Sequence, residues 1–273
     1  VGDPNQLPPI GPGKVLADVV SSGTIMNTTL DIVKRQEGST GIPEYSAQIR
    51  DGIVPKNLCF GNITFHETPE DEISAKCVEL YSQSPKDSRV IGATYKTTFG
   101  GIDEINSLAQ AENNPNGKML TIKHEGEMQF VRIKLDDPVL FTKNNYDVGV
   151  QNGSLGIVAS TEHVGDKFGV VKLDTDDEVE LDLDLFNSIK LGYAISLHKA
   201  QGSQFPRIII SLESGRIVDR SWLYTAITRA ETEVHIVGKK SDFVKITQLE
   251  SNANKRNSFL GELLSRQNLN DLN

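Results

Sequence analysis

The hydropathy rhythm of this chain changes twice, and that double change limits what it can fold into. From residue 1 to about 123, short apolar runs alternate with stretches of helical periodicity. From about 125 to 186 the pattern becomes period two, as in Phe130-Val131-Arg132-Ile133-Lys134-Leu135, with turn signals at Asn152-Gly153 and Gly165-Asp166. After Lys190 the first rhythm returns. Strands alternating with helices imply a parallel sheet with helices on both faces. The period-two stretch implies a small antiparallel barrel or sandwich. One α/β lobe interrupted by a β insert is the simplest topology, with no internal repeat.

Local signals place the elements. Helices are expected over 15–20, ending near Gly23, and over 42–50, closed by Gly52. Pro69 opens a helix whose first turn carries Glu70, Asp71 and Glu72, where the helix dipole favours anions. Its apolar positions are Ile73, Cys77, Val78 and Tyr81. Further helices are expected over 102–111 and 222–230. Strands are expected at 30–33, 63–65, 89–93, 169–173, 179–185, 193–197, 208–212 and 234–237, the acidic run 174–184 forming a solvated strand face. The tail beyond about Ser251 reads as a short helix with frayed ends.

Composition narrows the class. With 37% apolar and 24% charged residues, the chain has the balance of a globular protein, and no run approaches a membrane span. Cys59 and Cys77 form neither a disulfide framework nor a zinc set, which fits a reducing, cytoplasmic setting. His66, His124, His163 and His235 are scattered without metal-ligand spacing. The net charge of −9 argues against general polyanion binding but leaves room for a narrow nucleic-acid track.

Four segments, in order along the chain, carry chemistry. Gly2-Asp3-Pro4-Asn5-Gln6-Leu7-Pro8-Pro9 comes first, then Leu30-Asp31-Ile32-Val33-Lys34-Arg35-Gln36. His198-Lys199-Ala200-Gln201-Gly202-Ser203-Gln204-Phe205 follows a strand, and Leu223-Tyr224-Thr225-Ala226-Ile227-Thr228-Arg229-Ala230 lies on a helix. From residue 1 to about 240 the chain resembles the RecD-like branch of superfamily 1 DNA helicases. The last two motifs are the most specific.

The resemblance implies a RecA-like α/β fold: the end of a first lobe over 1–25, a second lobe over 26–124 and 190–273, and an SH3-like β-barrel insert over 125–189. It implies ATP hydrolysis in a cleft between lobes, 5′→3′ movement on single-stranded DNA or a duplex with a 5′ overhang, and a role in DNA repair and recombination. Arg35 and Arg229 are implied as γ-phosphate contacts, a task suited to a planar, permanently charged guanidinium. Gln6 is implied as the matching γ-phosphate sensor, since an amide both donates and accepts, while Asp3 orients its loop. Gln201, Gly202 and Gln204 are implied near the nucleotide, Gln204 standing where the family usually carries Glu. Ser196 and His198 are implied as DNA contacts.

Arg89 to Lys96, followed by Gly100-Gly101 and Asn106-x-x-x-Gln110, resembles the family segment that lies along the DNA backbone. Lys96 and Thr97 are candidate phosphate contacts there, or ordinary solvated loop residues. In the insert, Asn145 and Tyr146 either meet a base by stacking or build a turn. Trp222 is expected in the core.

The chain lacks the glycine-rich phosphate loop and the acidic metal-holding segment of this family. Gly11-Pro12-Gly13-Lys14 has the wrong spacing to replace the first. ATP and Mg2+ ligands are therefore expected in a preceding part of a longer protein, and the chain alone is expected to have no meaningful ATPase activity. The competing expectations are a non-catalytic DNA-binding scaffold and, among helicases, a conjugative relaxase-helicase or a phage Dda-type enzyme.

Overall fold

The computed structural model describes residues 2–8, 11, 13–29, 40–124, 127–213, 215, 217–252 and 254–264, excluding the side chains of 123–130. The strand expected at 30–33 and the candidate Arg35 lie outside the described residues. In chain order the elements begin with α1 (Val15–Ser22), α2 (Ile42–Arg50), β1 (Ile63–Glu67), α3 (Ile73–Gln83), β2 (Ser88–Gly92) and α4 (Ile102–Asn113). The middle holds β3 (Met119–His124), β4 (Glu127–Lys134), β5 (Pro138–Phe141), β6 (Leu155–Ser160), β7 (Val170–Leu173), β8 (Glu178–Glu180), α5 (Leu183–Phe186) and β9 (Ile189–Leu191). The chain then returns through β10 (Ala194–Ser196), β11 (Phe205–Ser211), α6 (Arg220–Ile227), β12 (Ala230–Gly238) and α7 (Lys240–Gln248).

Five strands form one parallel sheet in the order β1-β12-β11-β2-β10. Its central strand β11 is an apolar run, Ile208-Ile209-Ile210, wholly buried because helices cover both faces. One face packs against α2, α6 and α7 through Tyr45, Ile49, Trp222, Leu223 and Phe243. The other packs against α3 and α4 through Ile73, Cys77, Tyr81, Ile102 and Ile105. Between α4 and β10 lie a β3–β4 hairpin and an antiparallel sheet ordered β8-β7-β6-β5-β9. These two share a separate core, with Leu120, Ile122 and Ile133 of the hairpin meeting Val139, Phe141, Val158 and Val171. No helix among the described residues is long and apolar enough to cross a membrane.

Three boundaries differ from the sequence expectation for local reasons. Pro69 does not open an α-helix: Glu70–Glu72 form a 3-10 turn, and α3 begins at Ile73. The strand expected over 179–185 stops at Glu180, because Asp182 caps α5 by accepting a hydrogen bond from the Leu185 amide at 2.9 Å. The acidic run is accordingly a tight turn at Asp174 to Asp177, a short strand and a helix cap, rather than one strand face. The helix expected over 222–230 starts two residues earlier, where Asp219 accepts from the Trp222 amide at 2.9 Å. It ends at Ile227, so that Ala230 opens β12.

Two histidines are built into the sheet. His235 on β12 and His66 on β1 approach at 3.0 Å (Nδ1 to Nε2), while Arg207 Nε donates to His235 Nε2 at 3.0 Å. Burial, then the Arg207 charge, pulls the His235 pKa down to about 4. The fold thus holds His235 neutral, whereas the unfolded chain takes up its proton below a pH of about 6.5. Stability is therefore full above pH ~6.5 and declines until about pH 4, where the folded state also protonates. Urea unfolding at a series of pH values should show a loss on the order of 2 kcal/mol or more across that window. In His235→Gln that slope should flatten.

Candidate nucleotide and nucleic-acid site

The N-terminal segment is tied down by named contacts. Asp3 Oδ1 accepts from the Asn5 amide at 2.9 Å and the Asp3 carbonyl accepts from the Gln6 amide at 3.2 Å, so the loop closes on itself. Its other carboxylate oxygen accepts from the Tyr224 hydroxyl at 2.8 Å, on α6. Thr225 Oγ1 accepts from the Leu7 amide at 2.7 Å, and Gln201 Nε2 donates to the Leu7 carbonyl at 3.3 Å. Asp3 is thus an orienting residue. The first motif, the His198–Phe205 segment and α6 meet around Leu7.

That docking brings Gln6 to Arg229. Arg229 Nη2 donates to Gln6 Oε1 at 3.3 Å, Nη1 to the Ser203 carbonyl at 3.3 Å and Nε to the Thr225 carbonyl at 3.4 Å. Only 5% of Arg229 is exposed. It lies between the end of α6 and the start of β12, where the Asp219 cap fixes the helix. These contacts of 3.3–3.4 Å to neutral oxygens are long beside an ordinary hydrogen bond of about 2.9 Å.

Residues 197–204 run from the end of β10 to the start of β11. All five sheet strands are parallel, so this segment joins opposite ends of the sheet. Ser196 lies at the far end, buried, with its carbonyl accepting from the Lys199 amide at 2.9 Å. His198 is half-buried, and burial lowers its pKa. Gly202 has φ +88°, with open space where a Cβ would lie, so the backbone there can be approached closely. Gln204 is exposed and lines a cleft beside Phe205 and Arg89. It makes none of the contacts that join Gln6 to Arg229.

At the same end of the sheet as Ser196, the β2 strand runs into a loop bearing Lys96 and Thr97. Lys96 is exposed, and the Thr97 hydroxyl donates to the Phe99 carbonyl at 2.6 Å. The loop is anchored by Glu213, which accepts from the Thr94 amide at 2.8 Å and from the Thr94 hydroxyl at 3.0 Å. Desolvation raises the Glu213 pKa against those hydrogen bonds. Lys190 Nζ stands 5.1 Å from the centroid of the Tyr95 ring. Burial and then the Lys190 charge lower the Lys199 pKa, so two cations share this face.

The insert reaches the same face: Gly153, with φ +112°, sits where an added Cβ would be 3.5 Å from the Lys199 carbonyl. In the adjacent loop, the asparagines do build a turn. Asn144 Oδ1 accepts from the Asn152 amide at 2.7 Å, and Asn145 pairs its backbone with Val150. Tyr146 nevertheless remains 77% exposed, with its hydroxyl accepting from Asn144 Nδ2 at 3.0 Å.

Several of these partners escaped the sequence. Thr225 reaches Leu7 over 218 residues and Tyr224 reaches Asp3 over 221, Ser203 meets Arg229 over 26, and Glu213 reaches Thr94 over 119. Nothing in local spacing marks such pairs. Asn106 and Gln110, in the segment expected along the DNA backbone, make internal contacts. Asn106 pairs both ways with Ala194 of β10 at 2.9 Å, and Gln110 donates to Asp137. Among the described residues no group of three or more His, Cys, Asp or Glu is arranged to hold a metal ion.

Residues 191–237 match the UvrD-like helicase C-terminal domain. The ATP-dependent RecD2 DNA helicase of Deinococcus radiodurans is 31% identical over 88% of this chain and 32% of its own length. The RecBCD enzyme subunit RecD of Mycolicibacterium smegmatis is 25% identical over 89% of this chain and 45% of its own. The chain therefore spans about a third to under half of these relatives. A Pif1 helicase from Bacteroides, solved with ADP-AlF3 and ssDNA, aligns over 99% of this chain and 66% of its own with a TM-score of 0.51 at 16% identity, and so shares the fold. The chain is thus similar over most of its length to RecD and RecD2 helicases, and residues 191–237 match the UvrD-like helicase C-terminal domain.

Proposed function

We propose that this chain is the C-terminal part of an ATP-dependent DNA helicase that moves 5′→3′ on single-stranded DNA in the cytoplasm, serving DNA repair and recombination. The observation that carries the reading is the Gln6–Arg229 contact, with Ser203 on the same guanidinium. An amide beside a buried, permanently charged fork is a donor set suited to the terminal phosphate of ATP. Bound ATP with Mg2+ would supply the phosphoryl group that water attacks, and the metal ligands belong to the lobe that carries the phosphate loop. Arg229 would stabilise the charge developing on the γ-phosphate oxygens. Gln6, released from Arg229, would orient the nucleophile or sense the phosphate. Arg35 would add a second cation, and Gln201, Gly202 and Gln204 would lie along the nucleotide.

Lys96, Thr97, Ser196, His198, Asn145 and Tyr146 would follow a single strand across the opposite end of the sheet, by phosphate contacts and stacking rather than base-edge readout. Residues 197–204 connect the two ends, so a change at Arg229 and Ser203 can be felt at Ser196 and His198. We assign residues 1–25 to the first lobe and 125–189 to an SH3-like insert that borders the strand.

The direct test is unwinding by the intact protein of duplexes with a 5′ or a 3′ overhang. ATP-dependent unwinding confined to the 5′ overhang is expected; none, or a 3′ preference, overturns the reading. Tyr146→Ala should weaken single-strand affinity by roughly 1–3 kcal/mol in fluorescence anisotropy. The melting temperature should not move, because the ring is exposed.

A further inference from the structure

A cleft of 640 Å3 lies between the start of the parallel sheet and the insert. Arg89, at the start of β2, lines it. Its Nη1 donates to the Gly192 carbonyl, and its guanidinium carbon stands 5.4 Å from the centroid of the Phe205 ring. Its Nε is buried with no hydrogen-bond partner, and no carboxylate is hydrogen-bonded to the guanidinium among the described residues. A buried donor left unmade is costly, and a charged one more so. Burial lowers the Arg89 pKa, yet a guanidinium titrates so far above neutrality that it stays charged.

We infer that this cleft binds a small organic monoanion, a single carboxylate on an aromatic or short aliphatic body. The Arg89 guanidinium, as a lining group of the cleft, supplies a charge-assisted bond of the kind such groups make to carboxylates. Tyr81, Pro138 and Ile157 offer apolar wall for the body of such a ligand, and the volume is that of an ordinary small-molecule site. The charge balance selects against a phosphate. Asp87, Asp136 and Asp174 also line the cleft, and two cations, Arg89 and Lys86, faced by three acids tolerate one added negative charge better than two. Pro138, Ile157, Asp136 and Asp174 come from the insert, whereas Tyr81 and Arg89 come from the α/β lobe, so an occupant touches both. Of the residues assigned to the nucleotide, Gln204 lines the cleft and Gln6, Gln201 and Arg229 do not, and the inference does not rest on the helicase reading.

Benzoate is the probe. Calorimetry of the 273-residue chain, with the arginine Nε–H resonances followed by NMR, should show millimolar or tighter binding and a shift of the Arg89 signal. Arg89→Met should weaken benzoate at least tenfold. Asp174→Asn should strengthen it several-fold, by removing a like charge. Inorganic phosphate should bind more weakly than benzoate. The inference is overturned if the wild-type chain gives neither heat nor an Arg89 shift, if Arg89→Met binds like wild type, or if phosphate binds more tightly. Should Arg89→Met fail to fold, the Asp174→Asn affinity and the Arg89 resonance decide: no gain and no shift overturn it.

Discussion

Replacing Arg229 by Ala in the intact protein should lower single-stranded-DNA-stimulated ATP turnover by about 10^3-fold or more, the range seen when a phosphate-facing arginine is removed from an NTPase. Single-strand affinity should stay within about twofold. The asymmetry follows from the sheet. Arg229 enters it at the start of β12 and Ser196 leaves it at the end of β10, and all five strands run the same way. The two residues therefore occupy opposite ends of the sheet, with residues 197–204 running between them. Arg229→Lys keeps the charge but loses the fork that reaches Gln6 and Ser203 together, so it should recover only a small part of the rate. Turnover has to be read with the melting temperature, because Arg229 is buried and its alkyl stem contributes packing. A folded Arg229→Ala protein that hydrolyses ATP at the wild-type rate would remove Arg229 from the reaction. If binding fell in parallel with turnover, the separation of the two ends would be wrong.

How far such a site can be read from sequence depends on the range of its contacts. The alternation of strands and helices, and its interruption by period-two runs, belong to the chain itself, and the parallel sheet and antiparallel insert follow from them. Helix ends were legible where a side chain caps the backbone nearby, but only in part. Asp219 and Asp182 moved two boundaries because a cap competes with the apolar pattern that suggested them. Gln6 and Arg229 could be singled out by motif, yet their contact spans 223 residues and depends on Thr225 and Tyr224 docking the N-terminal segment. Gln204 shows the opposite limit. Its place in a motif suggests the nucleotide but gives no sign that the turn ahead of β11 also exposes it to the cleft with Arg89. Asn106 and Gln110 were visible as a pattern, but not as the residues that fasten α4 to β10 and to the insert.

That fastening converges on one residue, and its removal should be the most damaging single change outside the apolar core. Asp137 is fully buried in the link between β4 and β5. Its Oδ1 accepts from the Tyr193 hydroxyl at 2.7 Å and Asn114 Nδ2 at 2.6 Å. Its Oδ2 accepts from Gln110 Nε2 and from the Lys134 amide at 2.7 Å. The donors belong to α4, its C-terminal cap, β4 and the residue ahead of β10, so one carboxylate locks the insert to the lobe. Asp137→Ala strands four donors where water is scarce, each worth about 1–3 kcal/mol if left unmade. Partial rearrangement will recover some of that, because the donors share one network and their costs do not add. A net loss of roughly 3–5 kcal/mol is expected in urea unfolding. Asp137→Asn is nearly isosteric but turns an acceptor into a donor facing donors, so it should also destabilise, by less. The insert carries its own core of Phe141, Val158 and Val171, independent of this carboxylate. The lobe and insert should therefore unfold in separate steps in Asp137→Ala, where the wild type gives a single transition. A stability within about 1 kcal/mol of wild type would show that the apolar contacts between the two units, and not this buried carboxylate, hold them together.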